Sequence, residues 1–188
     1  MTAVAIVAVG LVMFLGLSFM VMYNRFVRQR TLVDESWGQT DVELTRRHEL
    51  IPNLVATVQG YAEHERSVLE TLAQAREQAQ AHKGEDPKSR EGYEEQVGRA
   101  LATVLARSEA YPDLKASANF LQLQAELTNT EDRIAAARRF YNGNVRAYNT
   151  RCSTFPSNVI AGMFHFESRE FFELTDPAAR VAPNVDLT

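Results

Sequence analysis

The chain has four histidines, His48, His64, His82 and His165, and these are the residues best suited to metal binding or general-base work. None stands in a spacing that builds a site. A di-iron carboxylate bundle places Glu three residues before His on an inward helix face; here those positions hold Thr45, Tyr61, Ala79 and Gly162. His64-Glu65 opens like a zinc-protease helix, but Val68 stands where the second histidine belongs. No two glycines are two apart, and no Gly-Lys pair precedes Ser or Thr, so neither a dinucleotide loop nor a phosphate loop is present. The single cysteine, Cys152, can form neither an intrachain disulfide nor a Cys-based zinc site. A Ser-His-Asp constellation is not decided by spacing, but no serine sits in a glycine-framed elbow. No catalytic, cofactor-binding or metal-ligating residue is assigned, and the expectation is a protein that is not an enzyme. An unrecognised enzyme would show itself as a pocket gathering His48 or His64 with a carboxylate.

Two other groups of polar residues fall on apolar stripes. Arg47 and Glu65 lie on the seam of a long helix, too far apart to pair with each other, so each requires a partner from another helix or another chain. Such a residue either fixes register or touches a ligand or partner. Tyr141-Asn142 and Tyr148-Asn149 recur one heptad apart, which puts both tyrosines on one helix face. They either bury their rings with the polar ends satisfied, or form a partner-binding surface. The neighbouring Arg133, Arg138, Arg139, Arg146 and Arg151 are expected to pair with acids such as Glu126, Glu131 and Asp132. The formal net charge of −4 disfavours a general nucleic-acid binder.

The elements that must position these residues are helices. The chain of 188 residues is 45% hydrophobic and 23% charged with few glycines and prolines, enough for one domain with an apolar core. From Val33 a 3,4 alternation passes through Trp37, Thr40, Leu44, Arg47, Ile51, Leu54, Val58, Tyr61, Glu65, Val68, Leu72, Ala75 and Ala79. This seam predicts a long first helix in coiled-coil-like packing to about Gln80. Pro52 marks a kink or a break, and the in-phase pattern beyond it favours a kink. Asp86-Pro87 looks like the N-cap and first-turn proline of a second helix, carrying Tyr93, Val97, Leu101, Val104, Ser108 and Tyr111 up to Pro112. A third helix is predicted from about Ser117 to Phe155, with its stripe drifting from Asn144 and Arg151 to Val145 and Cys152 near the end.

The N-terminus, from Ala3 to Tyr23, is free of charge and as a helix matches the ~30 Å hydrocarbon layer. It lacks the basic start, short apolar run and small-residue cleavage site of a secretory leader, so a retained anchor is expected. Arg25, Arg28 and Arg30 crowd its C-terminal flank, so the N-terminus is expected outside and the rest in the cytoplasm, with the arginines next to anionic headgroups. No small-xxx-small pair is present in the span.

The expected fold is therefore all-α: a transmembrane helix over residues 3–23, an antiparallel three-helix bundle over 24–155 with long first and third helices, a short helical or aromatic segment over 156–174, and a disordered tail from 175 to 188. The segment holding Phe164, Phe166, Phe171 and Phe172 is either a cap on the bundle or a patch for the membrane interface or a partner. At ~87 Å the first helix would outrun the ~36 Å second and ~58 Å third. That arithmetic leaves Val33, Trp37 and Leu44 without an intrachain partner and assigns them, with Arg47 and Glu65, to an interface between copies. Tyr141, Asn142, Tyr148 and Asn149, with the four phenylalanines, are the expected partner contacts. Since every copy must face one membrane, a ring or lattice is expected.

The chain resembles the LemA family of bacterial membrane proteins in Tyr23-Asn24, Trp37 with Asp41-Val42, and the run Arg46-Arg47-His48-Glu49-Leu50-Ile51-Pro52-Asn53-Leu54-Val55. The resemblance continues through Gly60-Tyr61-Ala62-Glu63-His64-Glu65, Asn119-Phe120, Thr130-Glu131-x-Arg133-Ile134-Ala135, the two Tyr-Asn pairs and Phe155-Pro156. It implies one N-terminal anchor, a cytosolic antiparallel helical bundle, no cofactor and no established enzyme activity. It also implies association with a membrane metalloprotease of the HtpX type and with TPM-domain proteins, and relatives in magnetosome membranes. Two functions follow as expectations: a self-associating membrane scaffold, or an adaptor serving a membrane protease or envelope-stress system.

Overall fold

The computed structural model describes residues 1–174, the side chain of Glu63 excepted. The expected tail from 175 to 188 lies outside the described residues. Every regular element among those described is helical: α1 Thr2–Gln59, a single 3-10 turn Glu63–Glu65, α2 Arg66–Ala81, α3 Pro87–Ser108, α4 Pro112–Lys115, α5 Ala118–Ser153 and α6 Ser157–Phe164. They divide into two compact units. One comprises Met1–Gly38 with Arg139–Phe171, the other Gln39–Arg138 with the chain from Phe172.

In the first unit the start of α1 runs against the end of α5. Arg151 Nε donates to Gln29 Oε1 (2.5 Å), Asn144 Nδ2 to the Leu32 carbonyl (3.4 Å), and the Trp37 and Tyr141 rings lie 5.3 Å apart. The pairs ascend one helix as they descend the other, which makes the packing antiparallel. In the second unit the same pattern repeats between the rest of α1 and the first part of α5. Glu43 meets Arg133 at 3.0 Å, Arg47 meets Glu131 at 3.1 Å, and Asn119 Nδ2 donates to Thr57 Oγ1 at 3.1 Å. Arg133 thus pairs with Glu43, not with the acids of its own helix. Here α2 and α3 form a hairpin, and Ile51, Leu54, Leu72, Val97, Leu101, Leu114, Phe120 and Leu127 fill the core.

The first helix does not reach Gln80. It passes through Pro52 unbroken and stops at Gln59. Tyr61 N and Ala62 N both donate to the Val58 carbonyl (3.0 and 2.9 Å), and after the 3-10 turn the chain continues as a separate helix, α2. The seam records the change. Leu44, Arg47, Ile51, Leu54 and Val58 are buried, but the next position, Tyr61, is exposed and Ala62 is buried in its place. With the helix cut there, its length no longer exceeds what the chain can cover. Val33 and Leu44 are buried within the single chain and Trp37 is half-buried. The expectation that they lack an intrachain partner is corrected accordingly.

Helix α3 begins as its sequence predicts. Asp86 Oδ1 accepts from Ser89 N at 3.0 Å with Pro87 in the first turn, and those bonds from Ser89 hold the Asp86 carboxyl below its usual range. At the other end, α6 stops at His165, which takes the left-handed conformation (φ 56°), and Phe166 N bonds back to the Ala161 carbonyl at 2.9 Å. That turn lays Phe166 flat on Phe26, centroids 4.8 Å apart.

Candidate functional site

The densest group of ionisable side chains lies in the second unit. Arg47 and His48 are adjacent on α1; Arg90 and Glu94 are four residues apart on α3; all four are 2% exposed or less. Glu94 Oε2 accepts from Arg47 Nη2 (2.7 Å) and His48 Nε2 (3.0 Å), and its Oε1 accepts from Arg90 Nη2 (3.1 Å). The guanidiniums then reach outward. Arg47 Nη1 bridges both oxygens of Glu131 on α5 (3.1 and 3.3 Å), and Arg90 Nη1 holds Asp41 (2.7 Å) and the Lys83 carbonyl (3.1 Å). One carboxylate thus ties α1 to α3, and Arg47 ties both to α5.

Burial by itself would push the Glu94 carboxyl up, but the His48 hydrogen bond and the Arg47 charge outweigh it and bring it down to about 2. It is ionised at neutral pH and far too weak a base to take a proton from substrate. Because an ionised carboxylate only accepts, His48 Nε2 carries a proton toward it. The arrangement stores charge against charge, and its chemical capacity is to fasten helices.

A second device adjoins it. Pro52 has no N–H, so the His48 carbonyl four residues earlier lacks its helical donor. Arg76 Nε on α2 donates to that oxygen at 2.7 Å. The proline therefore frees a docking point on α1 that α2 occupies, and the helix runs through Pro52 without a break.

The other singled-out residues find partners within the chain. Glu65 accepts from Tyr111 OH at 3.1 Å. In the first unit, Tyr141 is buried and donates to the Glu170 carbonyl at 2.8 Å, while Tyr148 is buried with its ring edge-on to Phe26 at 6.2 Å. Asn149 grips the backbone of Arg169 twice, Nδ2 to its carbonyl and Oδ1 from its N–H, both 2.8 Å. The Tyr-Asn face holds the extended segment after α6, and Asn142 is half-buried there with interactions of its own. Tyr141 and Asn149 thus spend their polar ends on the chain's own backbone. Of the four phenylalanines singled out after Pro156, Phe166 and Phe172 are buried, Phe171 is half-buried and Phe164 is exposed. Arg25, Arg28 and Arg30 are exposed, as membrane-flanking residues require.

His64 is exposed and His82 stacks on Tyr93 at 3.8 Å. Among the described residues, no three His, Cys, Asp or Glu side chains come together in an arrangement that would hold a metal ion. Burial raises the Cys152 thiol, and burial with Cys152 beside it pushes Tyr148 up to about 12, so both stay protonated at neutral pH.

Arg90 and Glu94 are the residues that the sequence reading missed. The signal was present: stepping back from Val104, Leu101 and Val97 in the same 3,4 alternation lands on Glu94 and Arg90. Starting the stripe at Tyr93 concealed it.

Antiparallel helix packing within each unit, buried ion pairs in the second, and one helix among the described residues, α1, long and apolar enough to cross a membrane define an all-α protein with a candidate membrane span. A model of the LemA family matches residues 36–187, and the chain belongs to that family. Among its relatives are magnetosome protein MamQ 1 of Paramagnetospirillum magneticum, 25% identical over 83% of this chain and 66% of its own length. Magnetosome protein MamQ of Magnetospirillum gryphiswaldense is 25% identical over 89% of this chain and 70% of its own. Protein LemA of Metamycoplasma hominis is 24% identical, covering 81% of this chain and 69% of its own length. The chain thus spans about two thirds of the relatives it matches, and it is a LemA-type membrane protein.

Proposed function

We propose that this chain is a non-enzymatic scaffold anchored in the bacterial inner membrane, with its bundle on the cytoplasmic face. The observation that carries the reading is the buried Arg47–His48–Arg90–Glu94 group, whose hydrogen bonds join α1, α3 and α5. The densest set of ionisable groups among the described residues holds helices together, as a platform needs. The exposed arginines after the span support the cytoplasmic side.

Self-association no longer draws support from the seam, whose residues are interior. It rests on the constraint that anchored copies share one plane and meet side by side. Light scattering on the full-length protein in detergent tests it: a closed multi-copy mass supports the scaffold, and a monomer favours the adaptor to a membrane protease. A reporter fused behind Thr188 that is active only when exported would overturn the orientation.

A further inference from the structure

The first unit carries an apolar surface that the bundle does not use. From Cys152 to Phe166 the sequence contains no Asp, Glu, Lys or Arg. Within that stretch Phe155 is 77% exposed, Val159 55%, Met163 59% and Phe164 42%. Val159 and Met163 are one turn apart on the outer face of α6, while Ile160 and Ala161 on the inner face are buried. An uncharged helix with an apolar outer face is out of place in water.

Its neighbours say what it faces. Phe164 packs on Phe19 (centroids 5.7 Å) and edge-on to Tyr23 (4.8 Å), and Phe166 lies 5.9 Å from Tyr23. Phe19 and Tyr23 are the last turn of the uncharged N-terminal stretch, on the bilayer side of Arg25, Arg28 and Arg30. A side chain touching both lies at or below the level of those guanidiniums. The last cation before α6 in the chain, Arg151, points its guanidinium over the Phe26 ring at 6.0 Å, beyond Tyr23 on α1 and so toward the headgroup side.

We infer that α6 and Phe155 form a second membrane contact, an interfacial segment whose outer face, Phe155, Val159 and Met163, rests in the boundary between headgroups and acyl chains. The occupant of this surface is lipid, because the surface is continuous with the span through Phe164. The anchor is then not a single swivelling helix but a helix and a float, which fixes the rotation of the first unit about the membrane normal. The inference rests on α1 crossing the bilayer.

The test uses the full-length protein with Cys152→Ser, reconstituted in phosphatidylcholine–phosphatidylglycerol vesicles. An environment-sensitive fluorophore is attached at Val159→Cys, Met163→Cys, Val12→Cys or Gly92→Cys, one at a time. Gly92 is exposed on α3 with open space around it and reports water; Val12 reports the span. The expected result is that labels at 159 and 163 lose most of their emission to lipids with a nitroxide high on the acyl chain and resist aqueous iodide, as the label at 92 does not. If Val12 is quenched by a deep nitroxide while 159 and 163 behave like 92, the interfacial segment is refuted, the span stands, and the surface is left to a protein partner. If Val12 is not quenched either, both readings fall.

Discussion

Replacing Arg76 by Met keeps the stem on α2 but deletes the donor that fills the His48 carbonyl, and the cost depends on what stands at position 52. In the natural sequence Pro52 offers no N–H, so the loss removes a charge-assisted hydrogen bond of 2.7 Å at a partly buried acceptor. Bonds of this kind are worth ~1.5–3 kcal/mol, and a buried carbonyl left without a donor accounts for much of that. With Pro52→Ala the helix regains its own N–H at that point, and the same Arg76→Met change should cost ~0.5 kcal/mol or less. The predicted coupling is therefore about 1–2 kcal/mol. A double-mutant cycle on the full-length protein in mild detergent, read as urea melts of the bundle by circular dichroism, measures it. Equal costs for Arg76→Met in both backgrounds, within the ~0.5 kcal/mol scatter of independent sites, would mean that the proline has no part in docking α2.

The remaining predictions concern the buried charges, the interior seam and the cap of α6. Glu94→Gln leaves Arg47 and Arg90 buried with a neutral partner and should destabilise the bundle by ~3–5 kcal/mol; a loss below ~1 kcal/mol would contradict the locking role. Because the Glu94 carboxyl sits near 2 in the folded chain against a reference of 4.5, its contribution is complete above about pH 5 and disappears as pH falls toward 2. Acid titration of stability should show that slope in the natural chain and a flatter one in Glu94→Gln. Leu44→Ala should cost ~2–5 kcal/mol in a monomeric detergent preparation, as befits an interior residue, whereas an interface residue would show its loss only in the mass of the assembly. His165→Gly removes the side-chain strain of a left-handed cap and should stabilise the first unit by ~1 kcal/mol in the same urea melts, where a loss of stability would contradict it.

What could be read from the sequence was whatever is written locally. Asp86-Pro87 starts a helix by satisfying its own first turn, and the drift from Asn144 to Val145 follows from helical pitch; Val145 is indeed fully buried. The turn after Gln59 was hidden because α2 begins at Arg66 with no side-chain cap from Glu65 before it, and the 3,4 alternation runs on across Gly60 as if the helix did. A hairpin and a straight helix can present the same stripe. Arg47 was visible as a polar residue on a seam, but its partners on α3 and α5 are distant in sequence, and no local pattern chooses among the available acids. The Tyr-Asn pairs stood out for the same reason that made their role obscure: they bind an extended segment 20 to 29 residues away through its backbone, which leaves no side-chain signature to match.

The central claim is that this LemA-type chain works as an assembled platform at the membrane. The most direct measurement is the mass of the full-length protein in mild detergent by light scattering, corrected for bound detergent. A discrete mass of several copies that persists on dilution is the predicted result. A single-copy mass under the same conditions would contradict it.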